Sequence, residues 1–351
     1  MDWTSTMQQT FEYFIVDPKT WKDTKRINTV IESSISRDLE AETLGSASIT
    51  TSEMIGECYI RIYLITIQNG VKERHPLGTY LIQSPSYSFD GKVKNVMVDA
   101  YTPLIELKEN LPPLGYSLEK GANVLDSAYN ILIDNLRAPV INNEKDSVLT
   151  MDFVSNLDDT WSSFIHDLLA NVDVYLELDE LGKVMFRPEQ YLESMQPVWV
   201  FDTGNSSILY SDFDLENDLY GIPNTVEVIC SNGEKSVWVK SVNNDPDSPV
   251  STVNRGRIIS YRITDPKIAS ATSKEDVQTY ADNMLKKLSA VEYSITFKHG
   301  YCPVRIGDCV LLNYEAAGLT GIKAKIISQT IKCVPGCPVT TKAVFSMGLW
   351  G

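Results

Sequence analysis

The sequence predicts a β-rich α+β fold, with strand-dominated segments at both ends of the chain and an α+β unit inserted between them. Three observations carry this. Period-two alternation runs through about the first 110 residues, helical periodicity follows the break "ENLPPLGYS" at 109–117, and strands return from Phe201. The expected divisions are residues 1–112, 113–200 and 201–351. A chain of 351 residues is long for one core, so two or three domains are expected.

In the first segment "FEYFIVD" alternates Phe11, Tyr13 and Ile15 with other residues. "ECYIRIYLITI" sets Tyr59, Arg61 and Tyr63 on one face and Cys58, Ile60, Ile62 and Leu64 on the other. "QNG" (68–70) is a hairpin break, and "LGTYLIQSP" and "KVKNVMVDAY" follow as strands around the turn "FDGK". Strands at this spacing predict a closed or sandwich-like antiparallel barrel.

The middle segment opens with a helix whose apolar positions are Val124, Leu125, Ala128, Tyr129, Leu132 and Leu136. A second helix from about Asp158 places Trp161, Phe164, Ile165, Leu168 and Leu169 on one face, with Asp158 and Asp159 as its caps. "VDVYLELDELGKVMFRPEQ" reads as a hairpin turning at Asp179 to Gly182. The last segment carries the strands "NTVEVIC", "SVWVKSV", "RIISYRI", "EYSITF", "DCVLLNY", "KAKIISQTI" and "TTKAVFSM". One helix, about 273–289, interrupts them, with Ser273 and Asp276 spaced as a capping box. The polar loop at 243–256 is expected to be mobile.

Hydrophobic residues make up 43% of the chain and charged residues 22%, an ordinary globular balance. No apolar run approaches the roughly 18 residues of a spanning helix, and the N-terminus lacks the basic-then-apolar pattern of a signal peptide. A soluble protein made in a cytoplasm is therefore expected. The net charge of −15 runs against phosphate binding, which needs Lys and Arg. It suits a protein that lets DNA pass without holding it.

The common enzyme signatures are absent: no G-x-S-x-G, H-E-x-x-H, Walker A or G-x-G-x-x-G pattern occurs. His75, His166 and His299 are scattered, and His166 falls on the polar side of its helix, so no catalytic role is expected. "YSDFDLENDLYG" spaces Asp212, Asp214, Glu216 and Asp218 like a calcium loop, but Asn217 stands where the turn glycine belongs. A strand with an acidic face and an apolar face is the better reading. Cys302, Cys309, Cys333 and Cys337 follow a C-x6-C, 23-residue, C-x3-C spacing that matches no common zinc knuckle. Thiolates at neighbouring turns can converge on a metal or cluster, disulfides are disfavoured in a reducing compartment, and small buried hydrophobes are the plain alternative.

The succession "SSISRDLEAETLGSASI", "RIYLI", "HPLGTYLIQSP", "VYLELDELGKVMFRP", "NDLYGIPNTVEVIC", "VRIGDCVLL" and "AKIISQTIKCVPGCPV" resembles the tail hub, or baseplate hub, proteins of tailed bacteriophages, from about Ile31 to Val344. The resemblance implies two tail-tube-like antiparallel β-barrel domains with the α+β domain inserted. It implies a homotrimer at the distal end of the virion tail, assembled in the bacterial host cytoplasm and joining the hexameric tube to a threefold tip. The implied partners are the tail tube or distal tail protein, the tape-measure C-terminus and a tip or central-fibre protein, with DNA passing through unbound. Hubs of some long-tailed phages hold an iron–sulfur cluster on four cysteines, so Cys302, Cys309, Cys333 and Cys337 are implied ligands of [4Fe–4S], with Zn²⁺ or no metal as alternatives. Competing readings are a tail-associated cell-wall hydrolase, for which no residues are expected beyond 351, and a tail-tip carbohydrate-binding adaptor suggested by β-content and six tryptophans.

Overall fold

A computed structural model of the protein describes residues 1–89, 94–142, 147–150, 152–217, 220–231, 236–264, 274–289, 292–315 and 318–346. The chain divides into two compact units, the first formed by Met1–Phe213 and Thr296–Ala343, the second by Asp214–Ile295 and Val344–Gly351.

The first unit begins with seven strands: β1 (Gln8–Val16), β2 (Asp23–Ile27), β3 (Val30–Asp38), β4 (Gly45–Thr51), β5 (Tyr59–Gln68), β6 (Val71–Phe89) and β7 (Lys94–Tyr101). The β5–β6 hairpin turns on Asn69 and Gly70, both with positive φ, the geometry that "NG" supplies. The predicted "FDGK" turn ends outside the described residues. Both faces of β5 are buried, so its alternation does not divide core from solvent. Ile60, Ile62 and Leu64 enter a core with Tyr13, Ile49 and Val98. On the other face Arg61 and Tyr63 reach Asp23 at 2.8 and 2.7 Å.

The α+β lobe comprises α1 (Ile105–Lys108), β8 (Ser117–Leu118), α2 (Val124–Asn135), β9 (Phe153–Val154), α3 (Trp161–Ala170), and the hairpin β10 (Val174–Leu178) with β11 (Val184–Pro188). All five apolar residues expected of the second helix are buried in its core. Its N-cap is Thr160, which forms a capping box with Ser163; the expected caps Asp158 and Asp159 lie just before it. Asp159 instead accepts the Asn156 backbone N–H at 2.7 Å, closing the preceding turn.

After a short 3-10 turn at Leu192–Ser194 come β12 (Trp199–Asp202) and β13 (Leu209–Asn217). The second unit then supplies β14 (Thr225–Ser231), β15 (Ser236–Val242), α4 (Thr252–Arg255), β16 (Ser260–Thr264) and α5 (Lys274–Leu288). Val277, Ala281 and Leu285 of α5 pack on Val226, Val228 and Val239 of the three-stranded sheet β15-β14-β16. The Ser273 end of the expected capping box lies outside the described residues. The loop expected to be mobile is instead tied internally. Asn243 Nδ2 donates to Ser248 Oγ at 2.9 Å, Asn254 Nδ2 donates to Ser248 O at 2.8 Å, and Val250 is fully buried. The chain closes with β17 (Glu292–Gly300), β18 (Cys309–Tyr314), β19 (Leu319–Lys332) and β20 (Pro338–Ser346).

The pairing that organises the molecule is long-range. Residues 34–38 of β3 pair antiparallel with 328–332 of β19, so early and late strands share one 13-stranded sheet. Its order is β13-β17-β20-β19-β3-β4-β7-β6-β5-β1-β2, with β12 and β18 branching from β19. The β-rich, antiparallel character is as expected, but among the described residues this order does not return on itself, and closure into barrels is not seen.

Candidate functional site

The four sequence-predicted ligands all lie in the first unit and all are buried. Cys302 follows β17, Cys309 opens β18, and Cys333 and Cys337 bracket the β19–β20 turn. That turn is closed by the Cys337 N–H donating to Val334 O at 2.8 Å, with Gly336 and Cys337 both at positive φ. Cys333 and Cys337 pack into the large core beside Tyr13, Tyr301 and Val339. Burial holds the Cys302 and Cys337 thiols well above their ordinary pKa and pushes Cys333 up to about 11. On β18 the Cys309 thiol is raised by burial and bordered by Lys323 and Asp308.

The expectation of a metal or iron–sulfur site on Cys302, Cys309, Cys333 and Cys337 is therefore corrected. Among the described residues no group of three or more His, Cys, Asp or Glu side chains is placed to hold a metal ion. The physical reason is that the sulfurs are buried as neutral thiols, Cys333 and Cys337 in the apolar core and Cys302 beside His299, and are not all aimed at one point. Separate sites predict additive effects. Cys302→Ala and Cys309→Ala should each cost on the order of 1 kcal/mol, and the double variant their sum within about 0.5 kcal/mol, measured by urea unfolding. A strong non-additive term would return the two sulfurs to one site.

What the structure does gather is a polar node, also within the first unit, that sequence spacing did not reveal. The tip of the β10–β11 hairpin presents Glu180 to Arg37 of β3 at 3.8 Å and to Arg305. The backbone of the same tip is caught as well: Leu181 O accepts Trp21 Nε1 at 2.7 Å and Arg61 Nη2 at 2.9 Å. Gly182 lies against Thr79 and Trp21 at φ +77, where a Cβ would come within 2.9 Å of the Thr79 side chain. Arg187 of the hairpin pairs with Glu177 at 2.8 Å and reaches Asp308 at 3.7 Å.

Arg37 is nearly enclosed, and its remaining donors go to Leu77 O at 2.7 Å and Gln329 Oε1 at 3.3 Å. Burial lowers its pKa, but Glu180 and the nearby Tyr80 and Tyr301 more than offset that, so the guanidinium stays charged. The chain of polar contacts continues from Gln329 through Thr341 to His299, whose Nε2 lies 2.8 Å from Thr341 Oγ1. His299 Nδ1 lies 2.6 Å from Gly300 O and 3.9 Å from Cys302 Sγ.

His299 has no exposed surface, and burial pushes its pKa down to about 4. The folded state thus holds it neutral while the unfolded chain takes up a proton near pH 6.5. Stability should fall as pH drops from 6.5 and level off below 4, by roughly 3 kcal/mol in all. The wild-type minus His299→Gln difference in unfolding free energy across pH 7 to 4 checks this. A pH-independent difference would show that His299 does not contribute.

The other histidines behave plainly. His166 is exposed beside Asp167, as expected of a polar helix face, and His75 lies 3.1 Å from Thr66 Oγ1. The acidic segment forms the expected strand in β13, and Asp212, Asp214 and Glu216 are exposed; Asp218 lies outside the described residues. Its apolar face is incompletely covered, with Leu215 more than 40% exposed. Asp212 takes Lys298 Nζ at 3.4 Å.

No family model matches the chain, and no curated protein sequence matches it. Solved structures do. A tail protein from Neisseria meningitidis MC58 superposes with a TM-score of 0.67 at 13% identity, covering 97% of this chain and 98% of its own. The 43 kDa tail protein of prophage MuSo2 from Shewanella oneidensis gives 0.65 at 13% identity over 95% and 98%. Prophage tail protein gp18 from Listeria monocytogenes EGD-e gives 0.51 at 10% identity over 97% and 95%. Agreement across nearly whole chains at such low identity is a statement about architecture: the chain has the fold of phage tail proteins.

Proposed function

We propose that the chain is the structural hub of a phage or phage-derived tail tip, a homotrimer that joins the hexameric tail tube to a threefold tip. The observation that carries this reading is the shared fold over 97% of the chain with a tail protein. In this reading residues 1–112 and 201–351 are two tube-like barrel domains and 113–200 decorates them. Three copies then contribute six such domains, the number that meets a sixfold tube. The partners are the tube or distal tail protein above, the tape-measure C-terminus, and a tip or central-fibre protein below. The role is a connector in the virion tail and not a catalyst.

The net charge of −15 and the exposed acids of β13 fit a surface past which DNA moves without adhering. Reversing Asp212, Asp214 and Glu216 to lysine is expected to slow DNA delivery from assembled particles, measured by ejection kinetics. Unchanged kinetics would remove these residues from the channel. A reconstruction of the assembled particle tests the main reading: a threefold ring of this chain at the end of the tube supports it, and any other position or symmetry sinks it. Clearing of purified cell wall by the isolated chain would favour the hydrolase reading instead.

A further inference from the structure

On the first unit, a groove of about 630 Å³ runs between the β3–β4 connection, α3 and the start of β10. That volume lies in the range of about 300–1,000 Å³ typical of binding clefts. Its floor is apolar, with Leu104, Leu107 and Leu169 from the lobe core. One wall is the connection 39–44, which contributes Leu39 and Leu44.

That wall is preformed. Leu39 N–H donates to Ile327 O at 2.9 Å, Leu44 N–H donates to Ala41 O at 2.8 Å, and Glu40 N–H donates to Asp38 Oδ1 at 2.9 Å. Two of the few non-glycine residues at positive φ, Leu44 (φ 56) and Asp173 (φ 52), both line the groove. Such strain persists where the surroundings demand it, and it holds an apolar side chain and a carboxylate at the groove.

The rim is acidic. Glu40, Asp173 and Glu189 are exposed and, among the described residues, none is in an ion pair; Glu42 pairs with Lys108 at 2.9 Å. Against them stand Lys325 and the exposed His166. An apolar floor with a net acidic rim is complementary to an apolar side chain flanked by cations.

We propose that this groove is a docking site for a segment of a partner protein in which one or two apolar residues are flanked by lysine or arginine. The apolar residue fills the space between Leu44 and Leu169, and the cations meet Glu40, Asp173 and Glu189. The assignment stands on the groove alone and does not require the hub reading, so the two fail separately.

Fluorescence anisotropy with the intact chain and a labelled Lys-Leu-Leu-Lys peptide tests it, with Lys-Ser-Ser-Lys and Glu-Leu-Leu-Glu as comparators. The basic apolar peptide should bind at least about tenfold tighter than either comparator. Glu40→Lys/Glu189→Lys should weaken it about tenfold, while the equal charge change Glu53→Lys/Glu119→Lys away from the groove should not. Leu44→Gly, which relaxes the left-handed backbone, should also weaken it, and hydrogen exchange should show protection at 39–44. No binding, or equal loss in both charge-reversed proteins, overturns the proposal by assigning the effect to overall charge. Self-association of the chain abolished by the groove variants overturns it in favour of a second copy as the occupant.

Discussion

Phe164→Ala is expected to destabilise the α+β lobe by about 4 kcal/mol, the range for removing a buried phenylalanine. The side chain is 1% exposed at the centre of the lobe core. Its ring meets Phe153 at 5.0 Å, Tyr116 at 5.4 Å and Trp161 at 5.8 Å between centroids, all edge-to-face. Those partners come from α3 itself, from β9 and from the segment before β8, so the ring pins three chain segments at once. Truncation loses the transfer free energy of the ring and leaves a cavity that rigid aromatic neighbours close poorly. Phe164→Leu keeps most of the volume and should cost under about 1.5 kcal/mol. Urea unfolding with hydrogen exchange across α3 measures both. Equal, small losses for the two variants would mean that the lobe collapses around the site and that the aromatic cluster does not hold it.

Glu180→Ala is expected to cost about 3 kcal/mol, because it leaves the enclosed charge of Arg37 without its carboxylate. Arg37 keeps Leu77 O and Gln329 as acceptors, which is why the loss should fall short of the extreme. Arg305 also loses its partner, but it is more exposed and should contribute less. The hairpin tip would still be held by the Leu181 carbonyl, so local loosening near 179–182 should precede global unfolding. A double variant, Arg37→Met with Glu180→Leu, replaces the buried pair with apolar volume and should recover much of the loss. Additivity of the two single changes would mean that Arg37 and Glu180 act independently and that the node is not one unit.

The elements with strong local signals were legible in the sequence. The helices α2, α3 and α5 could be read from three-and-four spacing, and the β10–β11 hairpin from its Asp179–Gly182 turn. The strands β1, β5, β14, β15, β18 and β19 announced themselves by alternation or β-branched content. β3 and β4 did not. "VIESSISRD" and "GSASITT" are rich in serine and small residues, and they become strands through their pairing with each other and with β19 and β7. The Arg37–Glu180 contact joins residues 143 positions apart through the packing of the β10–β11 hairpin tip beside β3, which no local pattern encodes. His299 looked like one of three scattered histidines, and only its burial against Thr341 distinguishes it.

The cysteine segment marks the boundary between the two kinds of information. Residue order by itself determined a β-rich chain, where its helices and turns fall, an acidic balance of net charge −15, and a resemblance to tail hubs that solved tail proteins bear out at the level of fold. It put four cysteines in the same stretch, but order does not state where side chains point. Tertiary structure decided that, burying the four thiols without bringing them together as a metal site among the described residues, while drawing Glu180 onto Arg37. The reason is that helices and turns are specified by neighbours within a few residues, whereas strand partners and buried ion pairs are chosen by how the whole chain excludes water.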